Sequence, residues 1–210
     1  PWNQPLAEQG YVVIQPNYRG SGGYGKEFVK IGRQPGGYGK RMQDDLNDIL
    51  TEYGKKGLID PTRACIMGWS YGGYAAARGA QRDPELWKCA IAGAGVYDMP
   101  MMNKWDSKNL GRFSSGFQAT SEDPEGISSA RNTNGPWAPI LIVTAKRDAR
   151  IPMEQAETLV ANLRKSGKVE GKDYRYIVQE QGTHNLPYDD VHIQWIEEAY
   201  AWLERFNPAY

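Results

Sequence analysis

The heptapeptide GWSYGGY, residues 68–74, places a serine between small neighbours. It follows the apolar run RACIMGW and precedes the alanine-rich AAARGA, so Ser70 falls where a short buried strand would meet a helix. Gly68, Ser70 and Gly72 match G-x-S-x-G, the pattern of a sharp strand-to-helix turn that exposes a serine hydroxyl. Such a turn predicts glycine at 68 and 72, since a Cβ there would find no room. The alternative is a glycine-rich turn whose serine caps the helix.

The bulk composition is that of an ordinary globular domain. The chain has 210 residues, 40% of them hydrophobic, enough for one sizeable core. Lys and Arg together number 25, as do Asp and Glu. Because the charges balance, the overall electrostatic field does not attract nucleic acid or an anionic membrane. In addition, no apolar run is long enough to span a bilayer. The compartment stays open between cytoplasmic and periplasmic or secreted.

The hydrophobic pattern predicts an α/β fold. Five strand-like runs occur, at 11–18, 64–69, 89–95, 139–145 and 173–180. Four are nearly continuous in apolar residues, which is typical of parallel strands covered on both faces. Amphipathic helical patterns over 42–53, 153–163 and 191–206 alternate with them, so we predict a mostly parallel, doubly wound sheet.

Two further expectations concern the organisation of the chain. The polar, glycine-rich stretch 104–135 is predicted to be a surface excursion with short helices, and residues 1–210 form one unit without a linker. Cys65 and Cys89 both lie in apolar strand-like runs, so we expect buried free thiols.

A serine nucleophile needs a base, and histidine is the usual one at neutral pH. His184 lies in QEQGTHNLP, after the run 173–180 and at the carboxyl edge of the predicted sheet, whereas His192 falls inside the last helix. The base must in turn be oriented by a carboxylate. Asp148 follows the run 139–145 and is the favoured acid; Asp98, after 89–95, is its competitor.

A second glycine pattern raises nucleotide binding as an alternative. GSGGYG, residues 20–25, satisfies G-x-G-x-x-G after a strand-like run, and Asp44 lies near the distance expected of a ribose-binding acid. However, PNYR separates the run from the glycines, and the helical pattern that follows breaks after about two turns. We therefore predict a tight loop near the active site.

Three segments together resemble the prolyl oligopeptidase family of serine peptidases, particularly its dipeptidyl peptidase and acylaminoacyl peptidase branches. They are GYVVIQPNYRGSGGYG, IDPTRACIMGWSYGGYAA and the tail from PILIVTAKRDARIPMEQAETLVANL to His184. The resemblance implies the α/β-hydrolase fold, with Ser70 as nucleophile, Asp148 as orienting acid and His184 as general base. It also implies one oxyanion donor, the backbone N–H of Tyr71, and a substrate side-chain pocket lined by Val96, Met99 and Met102. Ordinary packing is the alternative for these three residues.

The chain departs from the family pattern in three respects. Thr144 and Ala145 stand where the family usually has His-Gly, and Thr183 separates the histidine from the preceding glycine. The resemblance also implies three more strands before residue 11, a second oxyanion donor from a loop in that upstream part, and an N-terminal β-propeller. We therefore expect the chain to be the C-terminal part of a catalytic domain, partnered by the upstream part of the same protein and nearly inactive alone.

The expected function is hydrolysis of oligopeptides through an acyl-enzyme. No cofactor and no metal is expected, and the expected partners are peptide substrates, with neither nucleic acid nor a membrane; a homo-oligomer is left open. A carboxylesterase with the same triad and a non-catalytic binding module are the alternatives.

Overall fold

A computed structural model describes residues 2–111, 121–186 and 188–210. Four strands, β1 (Cys65–Trp69), β2 (Cys89–Gly93), β3 (Ile140–Ala145) and β4 (Tyr174–Gln179), form one sheet in the order β1-β2-β3-β4. All three neighbouring pairs are parallel. The helices are α1 (Asn3–Glu8), α2 (Lys26–Arg33), α3 (Met42–Lys55), α4 (Tyr71–Arg82), α5 (Met99–Leu110), α6 (Glu154–Lys165) and α7 (Asp189–Phe206), with a 3₁₀ turn at Ser129–Arg131.

The sheet is covered by helices on both faces, because alternate strand residues point to opposite sides. Ala90 and Ile140 belong to a buried cluster that includes alanines of α4 and leucines of α6. Their chain neighbours Ile91 and Leu141 belong to a second cluster, built on the tryptophans of α7. The prediction of a doubly wound parallel sheet is therefore confirmed, as are the three amphipathic helices now assigned to α3, α6 and α7.

The predicted strand over 11–18 is wrong: these residues form no strand. A strand requires a ladder of hydrogen bonds to a neighbour. Within the described chain β1 pairs only with β2, and a groove of about 520 Å³, lined by both 10–18 and 63–68, separates the segment from the other edge of β1. The apolar residues of 11–18 line the groove without strand pairing and are only half-buried or, like Val12, exposed.

The expectation of free thiols is also wrong, because Cys65 and Cys89 form a disulfide. The register of β1 and β2 pairs these two residues directly, with Cα atoms 4.7 Å apart, which is within the range that a disulfide spans. Counting two cysteines in a chain of this length does not indicate a pairing; only the register does.

The segment 104–135 is only partly a surface excursion. Helix α5 runs to Leu110, and residues 112–120 lie outside the described residues. Beyond them Ile127, Ser128 and Ala130 are buried. Ser128 Oγ accepts from the backbone N–H of Met99 at 2.8 Å, and Asn162 on α6 donates to the Ala130 carbonyl at 2.8 Å. The surface prediction is wrong for this part, whose polar residues are satisfied by internal hydrogen bonds.

Among the described residues, none of the helices combines the length and the apolar character that crossing a bilayer requires.

Candidate active site

Ser70 lies at the turn between β1 and α4, with φ 60° and ψ −119°. This positive φ is strained for a residue with a Cβ. The conformation is held by main-chain bonds on both sides: the Ser70 N–H donates to the Gly93 carbonyl at 2.9 Å, and the Ser70 carbonyl accepts from Tyr74 N–H at 3.0 Å. The hydroxyl makes no capping bond to α4, so the alternative of a helix-capping serine does not fit.

The glycines around Ser70 differ in whether a Cβ would fit at their positions. A Cβ on Gly68 would come within 2.5 Å of the Gly72 backbone, which confirms the steric need at 68. At Gly72 the same expectation is wrong for the described residues, because a Cβ there would meet nothing within 4 Å. The sequence argument missed Gly73, whose Cβ would come within 2.2 Å of the Gly93 carbonyl oxygen. Gly73 therefore lets α4 pack directly on the end of β2.

Three side chains that are far apart in the sequence meet at the carboxyl edge of the sheet. Ser70 Oγ lies 2.9 Å from His184 Nε2, and His184 Nδ1 lies 2.8 Å from Asp148 Oδ2. The Asp148 side chain is 1% exposed and that of His184 is 21% exposed. With its proton on Nδ1, the imidazole donates to the carboxylate and accepts from the serine hydroxyl, so a proton can move from Ser70 to His184.

The loop after β3 holds the Asp148 carboxylate through its second oxygen. Asp148 Oδ1 accepts from the backbone N–H groups of Arg150 and Ile151, each at 2.8 Å. These bonds satisfy a carboxylate that is almost fully buried, and they leave Oδ2 for the imidazole.

The two competing residues lie elsewhere. Asp98 accepts from Met101 N–H at the start of α5 and pairs with Arg131 at 2.8 Å, which satisfies both of its oxygens. His192 lies within α7, where its Nδ1 accepts from the indole of Trp2 at 3.3 Å. Neither takes part in the Ser70 cluster.

The residues proposed for the oxyanion hole and for the substrate pocket differ in their surroundings. Tyr71 is the first residue of α4, so its N–H has no acceptor one turn back in the helix. Val96 is half-buried, while Met99 and Met102 are buried, and Met99 packs in an apolar cluster with Tyr74 and Ile127. The pocket role of these three stays a prediction, and the burial of the two methionines favours a packing role.

Aromatic rings surround Tyr71. Its ring lies 5.5 Å from that of Tyr18, 5.2 Å from Tyr38 and 5.5 Å from Tyr74, and its hydroxyl contacts the Met42 sulfur at 3.3 Å. Burial raises the pKa of Tyr18 to about 12 and also raises the pKa of Tyr71 and Tyr74 above the ordinary value. These tyrosine side chains are therefore uncharged at neutral pH.

The glycine loop 20–25 contributes packing. Helix α2, which follows it, has only eight residues, and a Cβ on Gly32 would come within 2.4 Å of the Gly20 Cα. Asp44, the candidate ribose ligand, pairs with Arg82 at 2.8 Å. These contacts favour the predicted tight loop over nucleotide binding.

The departures from the family pattern leave the acid in place. Thr144 and Ala145 end β3 as buried residues, and Asp148 N–H donates to the Ala145 carbonyl at 3.2 Å. Thr183 lies in the loop before His184, where Gly182 accepts from Arg147 N–H at 2.9 Å. The histidine still reaches both partners.

The family model of the prolyl oligopeptidase family matches residues 2–207. The chain belongs to this family. It is similar to the uncharacterized peptidase YuxL of Bacillus subtilis (strain 168), with 34% identity over 194 residues, 87% of this chain and 28% of that protein. It is also similar to dipeptidyl aminopeptidase BIII of Pseudoxanthomonas mexicana, with 40% identity over 90 residues, 43% of this chain and 13% of that protein.

Solved structures of peptidases agree with this chain in fold. The acylaminoacyl peptidase of Pyrococcus horikoshii superimposes with a TM-score of 0.76 at 22% identity, covering 92% of this chain and 32% of that one. At this identity the likeness establishes the α/β-hydrolase fold alone. The chain spans under a third of the length of the relatives cited here.

Proposed function

We propose that this chain supplies the catalytic centre of a serine peptidase that cleaves oligopeptides through an acyl-enzyme. The observation that carries the proposal is the continuous hydrogen-bonded series from Ser70 Oγ through His184 to the buried Asp148 carboxylate. Family membership and relatives named as dipeptidyl and acylamino-acid-releasing peptidases support peptides as the substrate class.

Acylation of Ser70 and hydrolysis of the acyl-enzyme both follow from these positions. His184 Nε2 takes the hydroxyl proton as Ser70 Oγ forms a bond to the substrate carbonyl carbon. Asp148 stabilises the imidazolium and holds its orientation. The C–N bond then breaks as His184 returns the proton to the leaving amine, and Ser70 retains the acyl group. Water, deprotonated by His184, then attacks the acyl carbon, and the C–O bond to Ser70 breaks as His184 returns the proton to Oγ, which releases the acid and regenerates the serine.

Charge develops on the substrate oxygen during both halves. The Tyr71 N–H, at the start of α4, is proposed as one donor to this oxyanion, because the helix N-terminus adds a favourable dipole. Loss of a single such donor costs about 10²–10³ in kcat.

The experiment combines active-site labelling with a substrate comparison on the full-length protein. A fluorophosphonate probe is expected to label the wild type and not Ser70→Ala; equal labelling of both would contradict the role of Ser70. Aminoacyl, dipeptidyl and acylaminoacyl anilides are then compared with short-chain acyl esters. Hydrolysis of esters alone would indicate an esterase, and a wild type that neither labels nor hydrolyses would indicate a binding module.

A further inference from the structure

Trp69 connects the nucleophile turn to the loop of the general base. It occupies the variable position of the G-x-S-x-G pattern, directly before Ser70, and its indole N–H donates to the backbone carbonyl of His184 at 2.8 Å. The two residues are 115 positions apart in the chain. This bond joins the nucleophile turn to the histidine loop independently of the bond between the Ser70 and His184 side chains.

The direction of the indole N–H is set by packing on the sheet. A Cβ on Gly93 would come within 2.0 Å of the Trp69 ring, so the ring lies directly over the bare backbone of β2. Its other neighbour is Trp195 on α7, in an edge-to-face contact at 5.0 Å. An aromatic ring held this way has little freedom, and its polar N–H needs an acceptor when partly buried.

The histidine loop has a strained backbone close to His184. Leu186, two residues after His184, has φ 47°, a conformation that is costly for a branched side chain. One ring nitrogen of His184 bonds to Ser70, which loses its proton during the reaction, and the other bonds to Asp148, which stabilises the imidazolium. The bond from Trp69 is made to the main chain, so it persists whether the imidazole is neutral or charged.

We infer that Trp69 is a positioning residue that holds His184 where it can protonate the leaving amine. The inference rests on the proposed peptidase function. In the step concerned, the C–N bond of the tetrahedral intermediate breaks as the proton on Nε2 passes to nitrogen. An amine leaves poorly without this proton, whereas a nitrophenolate leaves without it. A misplaced imidazole therefore slows amide cleavage more than cleavage of an activated ester.

The test compares an anilide and a p-nitrophenyl ester that share one acyl group, using the full-length protein. For Trp69→Phe, kcat/KM for the anilide is expected to fall about tenfold, the size of effect that one lost hydrogen bond produces. The ester is expected to fall less, because it shares the attack step but does not need protonation of its leaving group, and KM for the anilide is expected to stay unchanged. The measured quantity is the anilide-to-ester ratio of kcat/KM.

Two further variants separate the hydrogen bond from packing. Replacement of Trp69 by benzothienylalanine keeps the shape of the ring and removes the N–H, so it is expected to reproduce the fall in the ratio even if Trp69→Phe folds poorly. Trp195→Phe is the matched control, because it changes the same ring contact while the Trp195 N–H has no hydrogen-bond partner in the described structure. It is expected to lower the melting temperature and leave the ratio unchanged.

The outcomes distinguish this inference from the proposed function. An unchanged ratio in the benzothienylalanine variant, or an equal fall in Trp195→Phe, would overturn the role of Trp69 while the enzyme remains a peptidase. A wild type that fails to label with fluorophosphonate and hydrolyses neither substrate would overturn the proposed function itself.

Discussion

Ser70 shows how a single strained residue is held in place. Its positive φ costs on the order of 1–3 kcal/mol. Against this, its main chain bonds to Gly93 and Tyr74, and its hydroxyl bonds to His184. Gly68 and Gly73 let the flanking strand and helix approach without a Cβ between them. The neighbouring backbone thus holds the strained turn and keeps the hydroxyl directed at His184.

The residue that sets the imidazole tautomer is predicted to be Asp148. Asp148→Asn can still accept from Arg150 and Ile151 N–H at one oxygen, but its amide would then face His184 Nδ1 and favour the wrong tautomer. We expect kcat for an anilide to fall by about 10⁴ with the fold retained, as in the corresponding serine protease substitution. Steady-state kinetics and circular dichroism measure the two effects.

Asp98→Asn is the matched control, because Asp98 is the other carboxylate that the sequence offered at this edge. It weakens the ion pair with Arg131 and the start of α5, so it is expected to lower the melting temperature and leave kcat unchanged. A large loss of kcat in Asp98→Asn with none in Asp148→Asn would reverse the assignment.

Among the elements, α5 and the loop after β3 are tied together by an ion pair. Arg150 Nη1 donates to Asp106 Oδ1 at 2.8 Å, and Nη2 lies 3.5 Å from Oδ2. The Asp106 side chain is 1% exposed, while that of Arg150 is 27% exposed. Since Arg150 N–H also bonds to Asp148, the pair fixes the loop of the acid against the helix that carries Met99 and Met102.

Arg150→Met is predicted to destabilise the protein, because it leaves the Asp106 carboxylate buried without this guanidinium. A broken buried pair costs about 3–5 kcal/mol of unfolding free energy. Urea denaturation measures the loss. The double variant Asp106→Leu with Arg150→Met removes both charges and is expected to recover much of the stability. A single variant as stable as the wild type would show that the pair contributes little.

The positions of the four strands and the meeting of Ser70, Asp148 and His184 could be expected from sequence, because they depend on local patterns. Strand-like runs indicated β1 to β4, and the position of Asp148 and His184 after their strands indicated a shared edge. Pairing across the sheet could not be predicted in this way. Three features depend on which segments of the backbone are neighbours in space. They are the groove beside 11–18, the Cys65–Cys89 disulfide and the hydrogen bond from Trp69 to the His184 carbonyl.

At the scale of the whole molecule, tyrosines with raised pKa values make the stability of the fold depend on pH. Burial raises the pKa of Tyr18 to about 12, and burial together with the charge of Glu157 raises the pKa of Tyr176 to about 12. Tyr71, Tyr74 and Tyr97 shift in the same direction for the same cause. Tyr71 and Tyr74 belong to an apolar cluster beside Ser70, and Tyr97 and Tyr176 to the cluster on the sheet face shared by α4 and α6, so ionisation of the buried phenols requires the core to open.

The free energy of unfolding is therefore predicted to fall as pH rises from about 10 through about 12. Below pH 10 the phenols are protonated in both states and add no pH dependence. Above it the unfolded chain releases their protons and the folded chain retains them, which favours unfolding. Absorbance at 295 nm, which reports phenolate, should rise with the loss of the far-ultraviolet circular dichroism signal. Tyr18→Phe should weaken the dependence, and Tyr210→Phe, at a 99% exposed position, is the control. Complete phenolate formation near pH 10 with an intact dichroism signal would contradict the coupling between these tyrosines and the core.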